Sequence, residues 1–256
     1  MKEKYIKIYG LQRTGTNYME WSLNENLKNV NVLKHGNLLG WKHGDPILVK
    51  DIDWSGRNWE NTNFPDKSAI REKVQNYQIE LSKIGGKEEI IKASEENRIK
   101  YLFCIRDPYS WLASKGPKWA GFENPFKQLE DVIDFWNAKL QNYVDFSKSV
   151  GTENCAFVSH PDIVLHSPVL IKWISERFKI YKMPEIKVRE EIIGPGEWDP
   201  VFEEDKKIDK DKYANLAHGY NNLPDTLKTR VAACIDPKLM LLFQHFSDLK
   251  SHFENE

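Results

Sequence analysis

The stretch "IKYLFCI", residues 99–105, constrains the fold more than any other segment. It is apolar at every position but Lys100 and rich in β-branched and aromatic residues. A run of this kind fits a strand covered on both faces, as in a parallel sheet with helices above and below it. Three further segments read as strands: Lys4–Tyr9, "NVNVLKH" and "NCAFVS". Helical spacing of apolar residues appears from Thr14 to about Leu27, over Lys67–Leu81 and Lys87–Glu96, in "PFKQLEDVIDFWNAKLQNYVDFSKSV", and in "SPVLIKWISERFK", where Ser167-Pro168 reads as a capped start. "LPDTLKTRVAACI" and "PKLMLLFQHFSDL" read as two closing helices. Strands alternating with helices predict an α/β fold, with a central, mostly parallel β-sheet flanked by helices. A single domain over 1–256 is expected, with substrate or lid segments at about 53–97 and 185–222.

Charge excludes some functions. Lys plus Arg total 37 and Asp plus Glu 38, so nothing global favours nucleic acid or an acidic membrane. No segment is apolar for long enough to span a bilayer, and "MKEKYIKIYG" lacks a signal-peptide core. Three widely spaced cysteines without a CxxC pattern fit reduced, buried thiols in a cytoplasmic protein. No His, Cys and carboxylate set has zinc spacing, so no metal is expected.

In such folds ligands bind at the C-terminal ends of the strands. Two unusual stretches fall there. In "YGLQRTGTNY", Gly10 allows a sharp turn and Gly15 allows close backbone approach. Thr14, Thr16 and Asn17 supply donors at a helix start, and Arg13 adds a cationic fork. In "RDPYSWLAS", Arg106 stands at a strand end, Pro108 can open a helix, and Ser114 is expected on that helix. Taken alone, each loop also has a purely structural reading, as a capped turn.

Together the two stretches are more specific. "QRTGTNY" resembles the 5′-phosphosulfate loop of P-loop sulfotransferases, commonly P-K-S-G-T-T-W. "RDPYSWLAS" resembles their 3′-phosphate motif, R-[ND]-P followed by a serine at the offset of Ser114. The resemblance implies a P-loop NTPase-like fold and a sulfuryl donor, 3′-phosphoadenylyl sulfate (PAPS), leaving as 3′-phosphoadenosine 5′-phosphate (PAP). It puts Arg13 in place of the loop lysine, with Thr14, Gly15, Thr16 and Asn17 around the phosphosulfate. Tyr18 falls where an adenine-stacking tryptophan is common, and Arg106 with Ser114 falls on the 3′-phosphate. "NCAFVSHPDIVLHSPVLIKW" looks like the family's strand and Y-E-D-L turn, with the acidic residue replaced. "GPGEWDPVF" resembles its late nucleotide-covering stretch, which would give Gly196 and Trp198 nucleotide contacts, and Arg189 is the candidate cation there.

Sulfuryl transfer to a hydroxyl benefits from a general base, and family members use His or Glu after an early strand. "LKHGNLLGWKHGD" offers His43, favoured for its Gly-flanked loop beside Trp41, with His35 as the alternative. Lys42 can assist developing charge, and Asp45 can orient His43. His160 and His166 are further alternatives. Trp54, Trp59, Trp111 and Trp119 are candidate linings for an acceptor pocket, equally readable as core. The expected acceptor is a small-molecule or glycan hydroxyl. Two rival readings stand beside this one. The first is a P-loop kinase using Asp107 as a magnesium ligand, and the second is a nucleotide-binding module without catalysis.

Overall fold

A computed structural model describes residues 2–33, 38–54, 67–189 and 218–243. Four parallel strands form the central sheet. They are β1 (Lys4–Gly10), β3 (Val30–Leu33), β4 (Ile99–Ile105) and β5 (Cys155–Ser159), in the order β3-β1-β4-β5. Every residue of β4 is buried, as the apolar run requires. The register sets Gly10 beside Cys104 and Ile105 beside Ser159, so the strands end level with one another. A two-residue strand β2 (Leu27–Lys28) pairs antiparallel with β6 (Tyr181–Lys182). Both are too short for a periodic signal in the sequence.

Helices cover both faces, as the fold class predicts. Helices α1 (Thr16–Asn26) and α8 (Ser167–Arg177) pack Met19, Leu23, Leu170 and Ile174 against Ile6, Ile8, Leu102 and Cys104. The opposite face is covered by α2 (Lys67–Lys83), α3 (Gly86–Glu95) and α6 (Leu129–Val150). There Tyr77, Leu81, Ile90, Tyr143 and Phe146 meet Tyr5, Tyr9, Tyr101 and Phe103. The helical half of the 53–97 segment is therefore built into the core, while 55–66 lies outside the described residues. A third cluster joins Leu11, Trp111 and the inner face of α6 to the helix Asp225–Cys234. His166 occupies the N-cap position of α8 without a side-chain capping bond, and Ser167 lies inside the helix with its hydroxyl 3.4 Å from that of Ser22, which corrects the expected Ser167 cap. The three cysteines are free thiols, with Cys104 and Cys155 buried. Among the described residues, no helix is long and apolar enough to cross a membrane.

One core position runs against the hydrophobic pattern. Lys7 sits on the Tyr5–Tyr9 face of β1 and is fully buried. Its ammonium donates to the Leu38 carbonyl at 2.5 Å and lies 5.6 Å from the Tyr9 ring centre. The Tyr9 hydroxyl donates to the Leu39 carbonyl and accepts from the Ile47 N–H. Two β1 side chains thus hold the loop that carries Lys42 and His43. Burial lowers the Lys7 pKa to about 7, with Glu20 and Glu80 opposing the shift and Lys42 adding to it. The unfolded lysine titrates near 10.5, so between about 7 and 10.5 the unfolded chain binds more protons than the folded one. Stability should therefore rise with pH through that window, by at most about 1.4 kcal/mol per pH unit. Urea unfolding of the wild type and Lys7→Met from pH 6.5 to 9 tests this. The wild type should gain on the variant as pH rises, and a constant difference would contradict the assignment.

Candidate functional site

The first loop leaves β1 at Gly10, a position closed to any side chain. A Cβ there would lie 2.5 Å from Thr14 Oγ1 and 2.6 Å from the Cys104 carbonyl. Two residues of the turn are left-handed, Arg13 (φ 67°) and Gly15 (φ 88°), and α1 begins immediately after Gly15. Glycine adopts that conformation at little cost, whereas for arginine it stores roughly 1–2 kcal/mol. Thr14 is buried, and its hydroxyl donates to the Leu11 carbonyl. That hydroxyl is turned into the loop. Thr16 is buried at the helix start. Asn17 Oδ1 accepts from Lys42 Nζ.

The second loop follows β4 on the neighbouring strand. Asp107 caps α4 (Pro108–Leu112), its carboxylate accepting from the Ser110 N–H at 2.8 Å, and Pro108 opens the helix as expected. The helix ends at Leu112, so Ser114 lies in the turn before α5 (Gly116–Trp119) and not on the helix. Its hydroxyl donates to the Trp111 carbonyl at 2.6 Å and accepts from the Gly116 N–H at 3.0 Å, closing that turn.

The two loops are bonded to each other. Arg106 Nη1 donates to the Arg13 carbonyl at 3.1 Å. Two buried indoles fix the backbone behind them: Trp111 Nε1 donates to the Gln12 carbonyl at 2.9 Å, and Trp136 Nε1 to the Arg106 carbonyl at 3.1 Å. Trp111 is thus core, whereas Trp119 is 38% exposed, with the Arg13 guanidinium 5.2 Å from its ring centre.

The loop bearing Lys42 and His43 closes over the same point. The Gly10 N–H donates to the Lys42 carbonyl at 2.8 Å, and His43 Nδ1 lies 2.6 Å from the Gly10 carbonyl. A carbonyl only accepts, so Nδ1 carries the hydrogen and, in the neutral ring, Nε2 carries the lone pair. Trp41, 46% exposed, meets the His43 ring edge-on at 5.0 Å. Asp45 turns away from His43 toward α6, accepting from Lys139 at 2.7 Å and Asn142 at 3.0 Å. Burial lowers the Lys42 pKa, with Glu20 opposing the shift.

Other predicted residues lie apart from this cluster or beyond description. Tyr18 is buried beside Trp21, with its hydroxyl donating to the Arg189 carbonyl at 3.2 Å. His166 is exposed at the junction of α7 (His160–Leu165) and α8. His35, Trp59, Gly196 and Trp198 lie outside the described residues. Among the described residues, no three His, Cys, Asp or Glu side chains gather where they could hold a metal ion.

No family profile matches the chain. Protein-tyrosine sulfotransferase A of Caenorhabditis elegans is 33% identical to it over 99 residues, 37% of this chain; the match spans about a quarter of that relative's length. Two solved structures align with the chain. The sulfotransferase domain from the curacin biosynthetic pathway aligns over 91% of this chain and 97% of its own, with 17% identity and a TM-score of 0.49. The sulfotransferase domain of the Synechococcus PCC 7002 olefin synthase aligns over 91% and 95%, with 14% identity and a TM-score of 0.47. The curated relative, similar over that part of the chain, carries the name of the family that the two arginine loops resemble.

Proposed function

We propose that the chain transfers a sulfuryl group from PAPS to an acceptor hydroxyl, on a small molecule or a glycan. The observation that carries this reading is the bond from Arg106 to the Arg13 carbonyl, which sets two arginine loops side by side at neighbouring strand ends. Arg13 and the backbone N–H groups at the start of α1 take the 5′-phosphosulfate, where amides and helix dipole favour an anion. Arg106 takes the 3′-phosphate, and the Ser114 hydroxyl joins it by swinging from the Trp111 carbonyl. In the reaction the acceptor oxygen bonds to sulfur and the bond from sulfur to the bridging phosphate oxygen breaks. The electron pair leaves on that oxygen, where Arg13 and Lys42 offset the growing charge. His43 Nε2 takes the acceptor proton. Trp41 and Trp119 offer aromatic faces to the acceptor.

The kinase reading is less well supported. The lysine that a nucleotide-hydrolysing loop carries after its last glycine is replaced by Thr16, with Arg13 one turn earlier, and the Asp107 carboxylate is engaged as a helix cap. A direct experiment incubates the protein with labelled PAPS and a panel of saccharide, phenolic and tyrosyl-peptide hydroxyls, alongside titrations with PAP and with ATP–magnesium. Label on an acceptor, with PAP binding and ATP–magnesium failing to compete, is expected. Magnesium-dependent ATP binding with indifference to PAP would overturn the reading in favour of a kinase, and PAP binding without turnover on any acceptor would leave a binding module.

A further inference from the structure

A third strand ends at the same place. Ile105 of β4 lies opposite Ser159 of β5, so Arg106 and His160 leave the sheet as neighbours. His160 is buried, and its Cδ2 would lie 3.6 Å from a Cβ built on Gly15, which puts the imidazole against the turn of the first loop. The charged groups acting on it come from both loops, Arg106 after β4 and Arg13 after β1. On its own helix, the Asp162 carboxyl is bonded to the Ser159 hydroxyl at 2.9 Å, and burial raises its pKa to about 6. Burial first, then Arg106 and Arg13, hold the imidazole well below its ordinary pKa. A cation is disfavoured beside two guanidiniums in a site shielded from water. An anion seated between those guanidiniums reverses the balance.

We propose that His160 is the proton-accepting member of the nucleotide site: when a bisphosphorylated nucleotide settles between Arg13 and Arg106, the imidazole takes a proton from solvent and becomes a third cation facing the phosphates. This rests on the reading of the two loops as a grip for such a nucleotide. The sign follows from linkage. A group whose pKa is raised by the ligand adds affinity at low pH and loses it as pH climbs through the bound-state value, by up to about tenfold per pH unit for one proton. A phosphate monoester brought against arginines acts oppositely: its second pKa is near 6, and it releases a proton on binding. The direction of proton exchange therefore separates the two.

Calorimetric titration of the full chain with PAP at pH 6.5, in buffers of different ionisation enthalpy, counts the protons exchanged. The wild type should take up a substantial fraction of one proton per nucleotide. His160→Asn and His160→Gln should lose that uptake, and their affinity should vary less with pH between 6 and 8. Net release by the wild type, or equal uptake in wild type and variants, would overturn the proposal while leaving the two-loop grip intact. Absence of any PAP binding would remove both. If neither variant folds, the His160 ring resonance of the wild type decides, titrated with and without PAP. An upward move of its midpoint with PAP is expected, and an unmoved midpoint contradicts the proposal.

Discussion

Replacing Arg106 by alanine will weaken PAP binding by about two to three decades. The guanidinium has two tasks in this account. Toward the ligand it supplies charge-assisted hydrogen bonds, each worth roughly 1.5–3 kcal/mol when its partner would otherwise be stranded, against about 1.4 kcal/mol per decade of affinity. Toward the protein it donates to the carbonyl of Arg13, a left-handed residue that the chain must hold in place. Arg106→Ala thus removes one phosphate ligand and loosens the other loop. Arg106→Lys should recover little, because an ammonium lacks the planar fork that serves two acceptors at once. The fold should survive, since Trp136 bonds the Arg106 backbone and not its side chain. Calorimetry with PAP, accompanied by a thermal melt, checks both statements. Affinity within about threefold of wild type would show that the phosphates sit elsewhere.

Replacing His43 by alanine will leave PAP affinity within a few-fold and slow sulfuryl transfer by about two to four decades. The ring is fixed by its Nδ1 contact to the Gly10 carbonyl, which leaves the lone pair on Nε2. His43→Asn separates two roles, because its amide can still donate to the carbonyl but cannot take a proton. If the ring is the base, Asn should be nearly as slow as Ala in a single-turnover assay with labelled PAPS. If the ring only holds the loop, Asn should recover most of the rate. Wild-type turnover in both variants would move the base elsewhere, with His35 next in line.

The parts legible in the sequence are those encoded by consecutive residues. The apolar run of β4 announces a two-sided sheet, and Gly10, Gly15 and Pro108 announce their turns. What joins the loops was hidden because it is nonlocal. The Trp111 indole reaches a carbonyl 99 positions away, the Trp136 indole one 30 positions away, and Arg106 a carbonyl 93 positions away. No local pattern distinguishes these tryptophans from ordinary core or from pocket lining. Lys7 was equally opaque: an alternating strand reads a lysine as solvent-facing, and only the fold supplies the Leu38 carbonyl that accepts its proton. Nothing in "PYSWLAS" marks the helix stop at Leu112, which Ser114 itself secures by bonding Trp111 and Gly116. His160 reads in the sequence as one histidine among several, and only the strand order, with β5 beside β4, sets it next to Arg106 and against the Gly15 turn.

The most direct measurement of the two-ended grip compares PAP with adenosine 5′-phosphate, which lacks only the 3′-phosphate, in wild type, Arg106→Ala and Arg13→Ala. The wild type should prefer PAP by about two decades, as expected for one phosphate held by charged donors. Arg106→Ala should lose nearly all of that preference, while Arg13→Ala should bind both ligands weakly and keep it. A full preference for PAP in Arg106→Ala would contradict the account.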